Sequence, residues 1–321
     1  MEFALSEEQQ ELAVMVRSLL AKRADPRVET YDVALWETLC EQIGVAALAV
    51  PEEYDGFGAS VFETCVVLEE LGRSLAPSPL LSSLVTTAAL LAGADEAAQQ
   101  RLLPRIAAGE VAAFADGDGP VLDGDLATVL VVATDDGLFE VDPEAAERTW
   151  VTSMDQTIRL ATVQADTATA TRIGDAAPAR SQAHLVGAVG CAALAAGGAA
   201  RALEMTVAYS QQRVQFGRPI GSFQALKHRM ADMLVLTEMS RSAAWAAAYA
   251  VATGADDAEQ LAHVAKSYCC EAFSQVAGEM IQLHGGIAIT WEHDAHLFFK
   301  RAHALGQLFG APLEHRAMLA F

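Results

Sequence analysis

The sequence predicts a mainly α-helical protein with one small β-segment in its middle, an α–β–α order. Apolar residues recur at helical spacing over residues 1–113 and again from about 181 to the end. Between these regions, residues 114–178 string short β-prone runs between Asp/Gly turns. Composition agrees: 52% of the residues are hydrophobic, Ala supplies much of that, and only 7% are aromatic. Such a chain favours closely packed helices over a large β-core. At 321 residues it divides into an N-terminal helical domain (1–113), a reduced middle β-domain (114–178) and a C-terminal bundle of long helices (179–321).

The elements follow in order. "MEFALSEEQQELAVMVRSLLAKR" offers Ser6 as a cap, an acidic first turn, and Leu12, Val16, Leu19 and Leu20 at helical spacing. It has no basic run leading into an apolar core, so no signal peptide is expected. Trp36, Leu39, Cys40 and Ile43 mark a second helix. "VPEEYDGFGAS" (50–60) reads as a loop, and "VFETCVVLEELGRSLA" (61–76) as a helix punctuated by Gly72 and Pro77. "TVLVVAT" is the clearest strand and "TIRLATVQAD" (157–166) another. Long Ala-rich helices are expected over 181–212, 222–254 and 257–284, the last interrupted by Gly285-Gly286. The most apolar stretch, 183–200, is broken by Gly187, Gly190, Gly197 and Gly198, which suits a buried helix rather than a membrane span.

Charge narrows the function. With 21 Lys+Arg against 42 Asp+Glu, the net charge of −21 repels polyanions and excludes non-specific nucleic-acid binding. Cys40, Cys65, Cys191, Cys269 and Cys270 show neither disulfide-framework nor metal-ligand spacing. They fit reduced core residues of a cytoplasmic protein, and no metal site is expected. Against this acidity, residues 211–233 gather Arg213, Arg218, Lys227 and Arg229 beside Gly217, Pro219 and Gly221, with Asp232 the one acid. Arg213 ends one long helix, Gln224 begins the next, and Ser222 is the expected N-cap. A turn with Arg on one side and free N–H groups on the other can hold an anion. A solvated turn whose Arg offsets the helix dipole accounts for the same residues. At 282–290, "QLHGGIAIT" breaks a helix at paired glycines, which allow close approach of a ligand or simply cap the helix.

Together these segments carry a resemblance. "AYSQQRVQFGRPIGSFQALKHRMADM" followed by "QLHGGIAIT" resembles the acyl-CoA dehydrogenase family. "LSEEQQEL", "IGVAALAVPEEYDGFGAS" and "VVLEELGRSLAPSPLL" are similar to its N-terminal helical domain, and "SMDQTIRLATV" to the strand leaving its β-domain. The resemblance covers nearly the whole chain and implies an acyl-CoA dehydrogenase-like fold with FAD as cofactor. In the family these elements grip the ADP half of a FAD housed largely in the neighbouring subunit. By matching position it implies Arg213 at the pyrophosphate, with Gln215 and Phe216 alongside and Gln224 at the adenosine end. Gln282 and the backbone of Gly285 and Gly286 would complete the cradle. A cation, amides and close-approaching glycines suit a dinucleotide pyrophosphate. Lys227 and Arg229 are expected to be exposed, while Arg218 stays open.

The sequence also departs from the family. Its members oxidise acyl-CoA thioesters, a Glu removing the α-proton while the β-hydride passes to the flavin. That Glu most often sits in a Tyr-Glu-Gly-Thr turn after the Gly-Gly break. Here the segment reads "ALGQLFGAPLEHR" (304–316), with Phe309 at the Glu position and Ala311 at the Thr position. Phe cannot accept a proton. The other usual location falls in 176–203, which contains no Asp or Glu. The family's Thr-Glu-Pro…Gly-Ser-Asp loop and Trp-Ile-Thr strand are missing as well, so no catalytic residue is assigned. These losses resemble the shorter subunit of an actinobacterial heteromeric (α2β2) acyl-CoA dehydrogenase, a type associated with steroid-derived CoA thioesters. That implies a longer partner subunit supplying the flavin pocket and the Glu, an acyl-CoA substrate in the complex, and an electron-transfer flavoprotein as acceptor. Neither nucleic acid nor membrane is expected as a partner. Two other classes stay open: a homomeric flavoenzyme with a displaced base, Glu314 being the nearest candidate, and a flavin-free assembly subunit. A shift of several residues misplaces Glu314 by more than catalysis tolerates. Glu292 and His293 read as surface or interface groups, Glu52 and Glu53 as loop structure, and Trp291 and Phe298-Phe299 as packing.

Overall fold

The computed structural model describes residues 4–28, 31–117 and 119–319. Helices begin where local chemistry favours them. Ser6 caps α1 (Glu7–Arg23): its hydroxyl accepts from the Gln9 N–H, and the Gln9 side chain accepts from the Ser6 N–H. Asp32 caps α2 (Val33–Gln42), and Ser60 with Glu63 makes a second capping box on α3 (Val61–Ser74). The helices α4 (Leu80–Gly93) and α5 (Glu96–Ala107) complete this set. A short 3-10 turn, Glu52–Tyr54, lies inside the expected 50–60 loop and leaves Glu52 and Glu53 exposed.

Two small sheets follow. Their strands are β1 (Ala112–Asp116), β2 (Val121–Leu122), β3 (Val129–Thr134), β4 (Gly137–Val141), β5 (Glu147–Val151), β6 (Leu160–Gln164) and β7 (Thr171–Gly174). One sheet has the order β1-β3-β4-β7, with β1 and β3 parallel; the other is antiparallel, in the order β2-β6-β5. The expected strands near 128–134 and 157–166 are β3 and β6.

The spine is α6 (Ala176–Gln212), flanked by α7 (Gln224–Thr253), α8 (Ala258–His284), α9 (Ala295–Gln307) and α10 (Pro312–Ala317). It starts before the expected residue 181 because Pro178 lies in its first turn, where a missing N–H breaks no helical bond. Its length and composition would suit a membrane span, but 83% of its most apolar window is buried inside the protein. The reason is steric. A Cβ on Gly197 would lie 1.8 Å from the Glu69 carbonyl oxygen, and one on Gly72 would lie 2.1 Å from that of Leu194. Helices α3 and α6 therefore touch backbone to backbone, while Phe273 of α8 rests on Gly198 and Leu81 of α4 on Gly190. Helix makes up 61% of the protein and strand 12%, as the mainly α expectation requires. All five cysteines are free, and among the described residues no His/Cys/Asp/Glu cluster could hold a metal ion.

Two buried acids tie the β-segment to the helices. Asp155, fully buried, accepts from Arg301 Nε of α9 at 2.6 Å and from the Thr157 N–H at 2.9 Å. Asp123, in a left-handed conformation (φ 52°), accepts from Ser82 Oγ of α4 at 2.8 Å. Its carboxyl and the unpartnered Tyr31 hydroxyl line one cavity of about 50 Å³, room for a water or two. Burial pushes the Asp123 carboxyl up to about 7. The folded value lies above the unfolded one, so its favourable contribution is complete in acid and is lost as pH rises through about 7. Asp123→Asn is therefore expected to change little near pH 4 and to stabilise by roughly 2 kcal/mol near pH 8. Urea midpoints at the two pH values check this, and equal shifts at both would contradict it.

Candidate functional site

Helix α6 stops at Gln212, and the Arg213 N–H donates to the Tyr209 carbonyl at 2.9 Å. The chain then reverses through β8 (Val214–Gln215) and β9 (Arg218–Pro219), pairing Val214 with Pro219 and Gln215 with Arg218. Phe216 (φ 53°) and Gly217 (φ 76°) form the tip, both left-handed as a type I′ hairpin turn requires. Glycine meets that requirement freely, whereas Phe216 costs about 1–2 kcal/mol. Yet Phe216 is 92% exposed, and its ring meets that of Phe223 edge-on. Its strain is not offset by burial within the chain.

The return path corrects one expectation. Ser222 is not the N-cap of α7. Residues Ile220–Ser222 form a 3-10 turn in which the Ser222 hydroxyl donates to the Pro219 carbonyl at 2.7 Å, and Phe223 takes the cap position. The turn lies against α6 because Gly221 has no side chain: a Cβ there would be 2.8 Å from Ser210 Oγ.

The second segment begins where α8 ends, and a 3-10 turn, Gly285–Ile289, follows it. A Cβ added to Gly217, Gly285 or Gly286 would meet nothing within 4 Å. Gly217 and Gly285 have positive φ, which accounts for glycine at both. Gly286 has neither positive φ nor a close neighbour among the described residues. Open backbone that a ligand can approach gives glycine a reason there.

Arg213, Gln215, Phe216, Gln224, Gln282, Gly285 and Gly286 are all exposed. None lines the cavities of about 50, 280, 390 and 470 Å³. Each of the seven thus faces outward rather than into one of these cavities. Among the described residues the Arg213 guanidinium has no hydrogen bond or ion pair, and Arg218 lies 4.0 Å over the Phe223 ring. Lys227 is exposed as expected, but Arg229 is half-buried and bonds Glu279 of α8 at 2.5 Å. The two segments meet through a cluster of rings. Tyr209 stacks on His284 with centroids 4.4 Å apart, and His293 covers His284 from another side at 4.5 Å. His293 is therefore half-buried. Trp291 is 63% exposed, with its ring edge-on to His296 and under Lys300, while Phe298 is buried and Phe299 is 36% exposed. An aromatic or His beside each motif was the available signal, but no spacing rule pairs residues so far apart.

The turn that would carry a catalytic Glu is filled. Phe309 is left-handed (φ 53°), and its ring lies where a Cβ on Gly187 would be, 2.5 Å away. Its edge meets His184 of α6. Lys266, fully buried, donates to the carbonyls of Leu305 at 3.1 Å, Gly306 at 3.4 Å and Gly310 at 2.9 Å. His315 Nε2–H donates to the Phe309 carbonyl at 2.7 Å, so its bare Nδ1 accepts from His263 Nδ1–H at 2.8 Å. Burial, with Lys266 and His263 nearby, holds the His315 imidazole below its usual range and neutral. Glu314 accepts from the Ala311 N–H at 2.7 Å and so caps α10. Among the described residues Asp116 is the one acid lining the cavity of about 280 Å³ beside Phe309, and Arg180 holds it at 2.6 Å.

Residues 6–110 match the family model "Acyl-CoA dehydrogenase, N-terminal domain", and residues 181–319 match "Acyl-CoA dehydrogenase, C-terminal domain". The chain is 43% identical over 317 residues to acyl-CoA dehydrogenase IpdE2 of Mycobacterium tuberculosis, covering 96% of this chain and 95% of that protein. Among solved structures it is similar to the Tcur3481-Tcur3483 steroid ACAD, with TM-score 0.86 and 29% identity over 98% of this chain and 96% of that one. It is also similar to the ChsE4-ChsE5 complex from Mycobacterium tuberculosis, with TM-score 0.86 and 26% identity over 99% and 97%.

Proposed function

Since this chain belongs to the acyl-CoA dehydrogenase family, whose members are FAD-dependent oxidoreductases, we propose that it is the non-catalytic subunit of a heteromeric acyl-CoA dehydrogenase. The substrate is a steroid-derived CoA thioester, a class supported by the similarity to a steroid ACAD. The longer partner subunit supplies the flavin pocket and the catalytic Glu, an electron-transfer flavoprotein takes the electrons, and the assembly works in the cytoplasm. Residues 1–113 and 114–178 act as scaffold, and 179–321 carry the cofactor contacts.

One observation carries this conclusion: the cofactor motif is an exposed surface whose Gly286 backbone faces open space. A site built that way is completed from outside the chain. Bound FAD would supply the hydride acceptor for oxidation of the thioester. The residues here bind and orient the cofactor. The Arg213 fork matches the pyrophosphate with Gln215 alongside, and Gln224 and Gln282 present amides to the adenosine half. Phe216, strained and bare in the single chain, gains burial against the partner. Phe309 in place of an acid leaves proton removal to the other subunit.

Purification with and without the longer subunit tests this. The chain alone should be colourless and inert toward acyl-CoA, and the co-purified complex yellow, with fewer flavins than subunits. A yellow homomer that oxidises an acyl-CoA by itself would overturn the proposal.

A further inference from the structure

We propose that the Tyr209–His284–His293 ring cluster is a positioning device that sets the Arg213 turn and the Gly285-Gly286 turn as one surface for FAD. This rests on the cofactor surface proposed above. Tyr209 is tied to the first turn directly, because its carbonyl accepts from the Arg213 N–H at 2.9 Å. His284 is tied to the second, being the last residue of α8 and the neighbour of Gly285. Their rings stack at 4.4 Å with 27° between planes, so a shift of either turn has to break the stack. His293 touches both, at 4.5 Å from His284 and 6.3 Å from Tyr209, and closes the cluster.

The choice of imidazole has a consequence that a plain ring would not. His284 Nδ1–H donates to the Met280 carbonyl at 2.8 Å, which leaves Nε2 a bare acceptor. That Nε2 is buried without a partner on a side chain only 4% exposed. The same stack needs only a flat ring, so the imidazole adds a proton sensitivity. The groups facing the cluster are Tyr209 from α6, and His293 and Asp294 from the segment before α9. His296 and Lys300 lie on α9, and Arg27 follows α1 and pairs with Asp294. Burial holds His284 and His293 below the usual imidazole range, and each also feels a nearby group: His293 lowers His284, and Arg27 lowers His293 against the pull of Asp294. Both rings are neutral at pH 7. In acid, two imidazolium ions this close repel, the stack opens, and the two turns lose their register.

The test titrates FAD into the deflavinated heteromer, reading flavin fluorescence from neutral to mildly acidic pH, with subunit association followed in parallel. His284→Ala and Tyr209→Leu should weaken FAD binding roughly tenfold at neutral pH, as small misplacements of a positioned group do. His284→Phe keeps the stack, so it should bind FAD nearly as the wild type does and lose much of the acid-induced fall in affinity. The proposal is overturned if His284→Ala and Tyr209→Leu bind FAD normally while Arg213→Ala does not. It is equally overturned if His284→Phe retains the full acid limb, which decides the matter even where His284→Ala fails to assemble. Normal binding by Arg213→Ala itself would instead remove the cofactor surface.

Discussion

Arg213→Ala is expected to strip FAD from the heteromer while leaving this chain folded. The guanidinium is exposed and has no partner among the described residues, so its loss should change folding stability by less than about 0.5 kcal/mol. Against a pyrophosphate it makes charge-assisted, two-pronged bonds worth about 2–3 kcal/mol. That corresponds to roughly 30- to 150-fold weaker binding. Arg213→Lys should fall between the two, since it keeps the charge but not the planar fork. Flavin-to-protein ratio after gel filtration reads the effect, and a thermal melt of the same sample shows that the fold is intact. An unchanged flavin ratio would mean that the cradle is idle and would favour a flavin-free assembly role.

Arg301→Met acts on stability instead. It should cost about 3–5 kcal/mol, because it leaves the Asp155 carboxyl buried without its cationic partner, with only Thr157 among the described residues to hold it. The β-segment would then lose its polar anchor on α9, and proteolysis near Asp155 should accelerate. Asp155→Leu combined with Arg301→Met should recover most of the loss, since removing both charges also removes both desolvation costs. A double-mutant cycle from denaturant midpoints measures this. A loss below about 1 kcal/mol in the single variant would contradict the anchoring role.

Much of the fold was legible because its signals are local. Ser6 caps its helix by bonding a residue within one turn, and that cap stands in the sequence as a short pattern. Periodicity located the long helices to within a few residues, and Asp/Gly turns bracketed β3 and β6. The same local logic failed at Ser222, where a 3-10 turn three residues long rotated the hydroxyl toward Pro219. It also failed for Arg229, whose partner Glu279 lies on another helix. Both misses concern geometry that neighbours in sequence do not set.

By itself the sequence determined the mainly α fold, the membership in an FAD-dependent family and the absence of a Glu at the usual turn. These are matters of residue type, spacing and order. Only the tertiary structure decided which way the motif faces, what fills the vacated position and what joins the two turns. Gly187 and Phe309 are complementary because α6 and the turn after α9 happen to meet there. Tyr209 reaches His284 because small residues let α6 and its neighbours approach closely. Contacts between distant segments depend on how helices cross, and that is settled by packing across the whole core rather than by any short run of residues.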